Sequence, residues 1–195
     1  MEPLWRSAEM AGKAAERSPE QCESGAVRPL LITGPPAAGK STTARVLADS
    51  RPLAAMIDVD DLRQLVVAGH AAPWDGEAGL IQQRIGVENA CDLARRFVSS
   101  GIEVVIADVL TLRTVELYRA RLPSVLIVHL RISWAEARRR ATQRPVYLTD
   151  DEFELLHRQQ PSDAHLYDHV VDVNGLDLGA QVASVRRIWS GQAER

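Results

Sequence analysis

From residue 29 onward the chain repeats one unit: a short, mostly apolar run followed by a stretch with helical spacing. The runs are PLLITG (29–34), AAMID (54–58), IEVVIAD (102–108), SVLIVHLRI (124–132) and DHVVDV (168–173). Between them KSTTARVLADS, DDLRQLVVAG, residues 80–99, TVELYRARL, SWAEARRRATQR, DDEFELLHRQQ and residues 178–190 carry helix-spaced apolar positions, with Gly101 stopping the longest. Ser133 with Glu136, and Thr149 with Glu152, have the spacing of capping boxes. HAAPWDGEAG (70–79) reads as a loop from its Pro and Gly content. Strands that alternate with helices predict a parallel sheet covered on both faces. Ligands of such sheets bind beyond the carboxyl ends of the strands, here just after residues 33, 58, 107, 132 and 173.

The 195 residues suffice for one sizeable core, and no internal repeat or second domain is evident. Residues 1–28 are polar and rich in small side chains, without the apolar stretch of a signal peptide, and read as a loosely held extension to a domain spanning 29–195. No apolar run approaches the ~18 residues of a membrane span. Cys22 and Cys91 suggest neither a disulfide framework nor a zinc site, which fits reduced thiols in a cytoplasmic protein. A net charge of -3 argues against a broad nucleic-acid surface.

The first strand leaves through Gly34-Pro35-Pro36-Ala37-Ala38-Gly39-Lys40-Ser41, which matches the phosphate-loop pattern G-x-x-x-x-G-K-[ST]. Backbone N–H groups reach phosphate oxygens at close range only where bulky side chains are excluded, and the following helix adds its own free donors and positive dipole end. Lys40 is expected on the β- and γ-phosphates of ATP, the Ser41 hydroxyl on Mg²⁺, and Thr42 on the α-phosphate. A strand–helix turn that merely resembles this pattern arises in on the order of 1% of chains of this length.

Three further groups fall at the same sheet edge. Asp60 and Arg63, after the second strand, suit a carboxylate that takes a proton from an attacking hydroxyl and a guanidinium that steadies it. Asp58 and Asp61 compete for the first role, and Asp61 reads as a helix N-terminal residue. Asp108 ends an apolar strand, as a carboxylate supporting Mg²⁺ or contacting substrate does, or as a turn residue does. Arg140 and Arg144 lie four apart on one helix face before Pro145, placed to cover triphosphate oxygens, whereas Arg138 and Arg139 read as a solvated face.

Together the phosphate loop, the Asp-x-x-Arg after the second strand and the two arginines four apart resemble the P-loop kinase group, which includes phage-type polynucleotide kinases, chloramphenicol phosphotransferase and zeta toxins. DVDDLRQLV is similar to the polynucleotide kinase stretch, and the likeness implies Asp60 as general base and Arg63 as the residue orienting the acceptor. RATQR is similar to the lid segment and implies lid roles for Arg140 and Arg144. VDVNGLD (171–177) lies where this group contacts adenine, so Asn174 or Gly175 is expected to help hold the base. The resemblance covers about 29–190. It implies a three-layer α/β/α P-loop NTPase fold, a five-stranded parallel sheet in the order 2-3-1-4-5, and an Arg-bearing lid.

Residues 64–90 follow the base and are expected to form the acceptor pocket, offering His70, Trp74, Asp75, Gln82, Gln83 and Asn89. The expected function is an ATP- and Mg²⁺-dependent kinase of a small-molecule hydroxyl; the alternatives are a kinase of nucleic-acid 5′-hydroxyls, which the acidic balance disfavours, and a nucleotide-binding switch or slow NTPase acting through a partner.

Overall fold

The computed structural model describes residues 28–143, 148–160 and 164–191. Residues 1–27 and Arg144, which the sequence reading assigned to the extension and the lid, lie outside the described residues.

Five strands, β1 (Leu30–Thr33), β2 (Ala54–Asp58), β3 (Glu103–Ala107), β4 (Leu126–Arg131) and β5 (His169–Asp172), form one parallel sheet in the order β2-β3-β1-β4-β5. Leu30, Leu31 and Ile32 of the central strand are fully buried. Helices cover both faces of β1, which is why it reads as an unbroken apolar run rather than an alternating one. Leu30 and Ile32 face α1 (Lys40–Asp49) and α7 (Leu178–Trp189), and Leu31 faces α3 (Gly76–Ser99) and α4 (Leu112–Arg121). Trp189 closes the first of these cores and donates its indole N–H to the Arg28 carbonyl (2.7 Å).

Strand register gathers the motifs. Asp58 pairs with Ala107, Ala107 with Ile32, and Thr33 with His129, so Gly34, Asp58 and Asp108 leave the sheet at one level.

Several boundaries differ from the periodic reading. The helix after β2, α2 (Val59–Gln64), ends before the apolar residues that were expected to prolong it. Leu65 and Val67 are 71% and 92% exposed, so they find nothing to pack against. α3 begins at Gly76 rather than residue 80, because the Ala72 carbonyl turns against Gly79 and shortens the loop. α4 begins at Leu112, two residues early, since Thr111 and Thr114 cap each other reciprocally. Thr149 and Glu152 form the expected capping box of α6 (Asp150–Arg158). Ser133 caps α5 (Trp134–Thr142) by one bond only, because the Glu136 carboxylate turns to Arg139 and Arg140.

Candidate active site

At the carboxyl edge of β1 the chain turns through residues 34–39 before entering α1. Gly34 (φ 145°) and Gly39 (φ 89°) take conformations that L side chains rarely adopt, and Ala37 follows at φ 62°. A Cβ at Gly34 would stand 2.5 Å from the Leu130 carbonyl oxygen, and one at Gly39 would stand 2.8 Å from the Gln181 amide nitrogen. Both ends of the loop are thus glycine by space as well as by φ. The Gln181 amide, buried on α7, donates to the Ala38 carbonyl (3.0 Å) and the Thr43 hydroxyl (2.8 Å), bracing the loop from behind. From the other side His157 of α6 meets the Pro36 carbonyl at 3.2 Å.

Lys40 opens α1 and donates to the Pro35 carbonyl (3.2 Å). Burial lowers its pKa, against the opposing pull of Asp60, Asp108 and Asp58. Asp58 caps α2 by accepting from the Asp60 N–H (3.1 Å). Burial raises the Asp58 pKa, and a hydrogen bond with Ser41 opposes the rise. The Ser41 hydroxyl thus lies near the Asp58 carboxylate, and the two are hard oxygen donors of the kind Mg²⁺ takes while keeping most of its waters. With the cradle of the loop, these residues fit a Mg²⁺-bound nucleoside triphosphate.

Asp60 is the exposed carboxylate of the cleft, its side chain 63% accessible, and it is ion-paired to Arg63. Arg63 is 8% exposed and also lies 3.5 Å from Asp108. Its stem packs where α3 presents Gly86, whose added Cβ would come within 3.0 Å of Arg63 Cγ. Burial works against the Arg63 charge, but Asp108 and Asp60 outweigh it and the pKa is raised. Asp108 is 4% exposed and accepts from the Val109 N–H (2.8 Å) and the Tyr118 hydroxyl (2.9 Å). Burial pushes its pKa up to about 6, although Arg63 and Tyr118 favour the ionised form. Asp108 thus braces Arg63 from below and does not line the cleft itself.

The cleft encloses about 1410 Å³ and runs from the phosphate loop to α3 and α4. Lys40, Ser41, Thr42, Asp60 and Arg63 all line it. Arg140 lines the far end, tied to Glu136 (2.9 Å), the Val173 carbonyl (2.7 Å), the Leu176 carbonyl (3.1 Å) and Gln181 (3.3 Å). Arg139 also faces the cleft, while Arg138 pairs with Asp150 on the surface. Asn174 accepts from the Ser133 N–H (3.0 Å), donates to Asp172 (2.7 Å) and does not line the cleft; its neighbour Leu176 does. Among the acceptor-side residues, Gln82 bonds the loop backbone at Gly69 and Ala71, and Asp75 bonds Ala72. His70, Trp74 and Gln83 line the cleft, and Asn89 does not.

Gln181, Tyr118 and Arg113 went unnoticed in the sequence. Helical periodicity marks Tyr118 only as a core position. Nothing local connects Gln181 with a loop some 140 residues earlier.

A three-layer α/β/α fold with a phosphate loop, a strand order of 2-3-1-4-5 and an Asp-Arg pair facing the loop defines a P-loop kinase architecture. The chain belongs to the AAA domain family AAA_33, whose profile matches residues 30–161. A sugar kinase from Janibacter sp. HTCC2649 is similar over 86% of this chain and 96% of its own, with 15% identity and a TM-score of 0.66. A shikimate kinase from Bacteroides thetaiotaomicron is similar over 83% of this chain and 97% of its own, with 18% identity and a TM-score of 0.59. A gluconokinase from Sinorhizobium meliloti 1021 is similar over 86% and 98%, with 16% identity and a TM-score of 0.56. No curated protein matches by sequence. Among the described residues no helix is long and apolar enough to cross a membrane.

Proposed function

We propose that the protein is a cytoplasmic phosphotransferase that moves the γ-phosphate of ATP to a hydroxyl of a small molecule. The observation that carries this reading is the placement of Asp60, accessible and ion-paired to a buried Arg63, in the same cleft as Lys40 and Ser41. Mg²⁺–ATP, when bound, supplies the transferable phosphoryl group and the metal charge that stabilises it.

Asp60 accepts the proton of the acceptor hydroxyl as its oxygen bonds to the γ-phosphorus and the bond to the bridging oxygen breaks, releasing ADP. Arg63 holds that carboxylate in place, and Asp108 with Tyr118 holds Arg63. Lys40 neutralises charge on the β- and γ-oxygens, and Gln181 keeps the loop open to receive them. Ser41 and Asp58 would hold the metal, and Asp108, expected either to support Mg²⁺ or to contact substrate, stands behind them against Arg63. Arg140 and Asn174 act from the base end, Arg140 by fixing the carbonyls of the 173–176 loop around the adenine, and Arg144 contributes a lid charge.

The test is transfer from γ-labelled ATP with Mg²⁺ across a panel of hydroxyl acceptors that includes a 5′-hydroxyl oligonucleotide. Label on a small acceptor, reduced at least ~10²-fold in Asp60→Asn while ATP still binds, is expected for a general base. Label on the oligonucleotide alone would make the chain a polynucleotide kinase. Slow phosphate release unchanged by the substitution would favour the nucleotide switch.

A further inference from the structure

The acceptor end of the cleft carries two polar side chains that have no hydrogen-bond or ion-pair partner among the described residues. Gln83, on α3, is only 7% exposed, lines the cleft and makes no hydrogen bond among the described residues. Its neighbour Gln82 spends both ends of its amide on the loop backbone, so the pattern is not a general habit of this helix. Its side chain is held by packing while the amide opens to the cleft, so its donor and acceptor positions are available to whatever enters. Arg113, in the first turn of α4, also lines the cleft and has no ion-pair partner among the described residues. The other arginine of this end, Arg63, is already matched by Asp60 and Asp108. Arg113 is exposed at the mouth of the cleft, where its permanent charge is available to pair with an anion that enters. Trp74, Leu80, Leu110 and Leu112 add apolar surface to the same cleft.

We infer that the acceptor is a small hydroxylated anion, whose carboxylate or phosphate pairs with Arg113 and whose polar substituent is read by the Gln83 amide, with its carbon skeleton lying on the apolar walls. This rests on the kinase reading above, because it assigns that site its acceptor class. Arg113 and Gln83 set specificity; neither takes part in the proton or phosphoryl movement. The anion selects the molecule, and the remaining geometry leaves one hydroxyl facing Asp60.

The inference is tested with matched pairs that differ only in the anionic group: shikimate against its methyl ester, gluconate against sorbitol, and glycerol 3-phosphate against glycerol. Binding to the full chain is followed by calorimetry with an unreactive ATP analogue present, and transfer is followed separately with ATP. At least one anion is expected to bind about 10- to 100-fold more tightly than its neutral partner, the strength of a charge-assisted hydrogen bond. Whether the carboxylates or the phosphate ester show the preference identifies the anion. Arg113→Gln should erase it, Arg113→Lys should restore part of it, and Gln83→Leu should raise KM for the acceptor, all three leaving KM for ATP within about twofold. Equal binding of the members of every pair, or a preference that survives Arg113→Gln, overturns the inference and leaves the kinase reading standing. Arg113-dependent anion binding with no transfer to any member supports an anion site at this end of the cleft, counts against its being the acceptor's, and overturns the acceptor assignment.

Discussion

At the scale of single residues, the site is a line of alternating charges whose inner members control the outer one. Asp60 faces the cleft, Arg63 pairs with Asp60, Asp108 pairs with Arg63, and the Tyr118 hydroxyl donates to Asp108. Burial holds the Asp108 carboxyl protonated up to about pH 6, and only the ionised form grips Arg63 as an ion pair. The native pKa lies above the ordinary value of 3.8, so positioning of Arg63 is present above about pH 6 and fades as the pH falls through it. The kcat/KM for the acceptor should therefore show an acid limb near pH 6 that disappears in Asp108→Asn. In Tyr118→Phe the limb should move to higher pH, because a hydrogen bond to the ionised carboxylate is gone. A limb that stays in place in both variants would detach Asp108 from the working of the site.

At the scale of elements, the acceptor end depends on how closely α3 approaches its neighbours. Two of its glycines are required by space alone. Gly86 leaves room for the Arg63 stem, and Gly79 receives the Ala72 carbonyl, toward which an added Cβ would come within 1.9 Å. Backbone cannot yield as a flexible side chain does, so Gly79→Ala must displace the loop that carries His70 and Trp74. The variant is expected to lose about 1–3 kcal/mol of stability and to raise KM for the acceptor with little change in KM for ATP. Equal changes in both constants would mean that the loop serves the nucleotide as well. The extra turn of α3 and the extra half-turn of α4 have the same kind of origin, in a carbonyl packed on a glycine and a threonine pair capping itself.

For the whole molecule, one sheet carries two cores, and the ligand site spans the edge that both support. Nucleotide binding to the native state alone should stabilise the entire domain by mass action. At 100 times the dissociation constant the gain is about 2.7 kcal/mol, or roughly 5–10 °C in Tm for a chain of this size. Mg²⁺–ATP is expected to raise Tm by that amount in the wild type and far less in Lys40→Ala, whose unliganded Tm should stay close to wild type. A shift of equal size in the variant would place the nucleotide elsewhere.

The amino-acid sequence by itself determined the strand–helix alternation, the phosphate loop and the edge of the sheet where Lys40, Ser41, Asp60 and Arg63 meet. These are properties of short segments: apolar runs for buried strands, glycines where backbone must approach a ligand, and Asp and Arg within one turn of helix. Tertiary structure decided which carboxylate meets which partner. Asp58 and Asp108 both end strands, and only their register and the burial around them set Asp58 against Ser41 and Asp108 beneath Arg63. It also decided that Gln181 braces a loop distant in sequence, and that Gln83 and Arg113 line one cleft with no hydrogen-bond or ion-pair partner among the described residues. Whether a polar side chain is satisfied depends on groups brought together by packing, and no local pattern of residues records that.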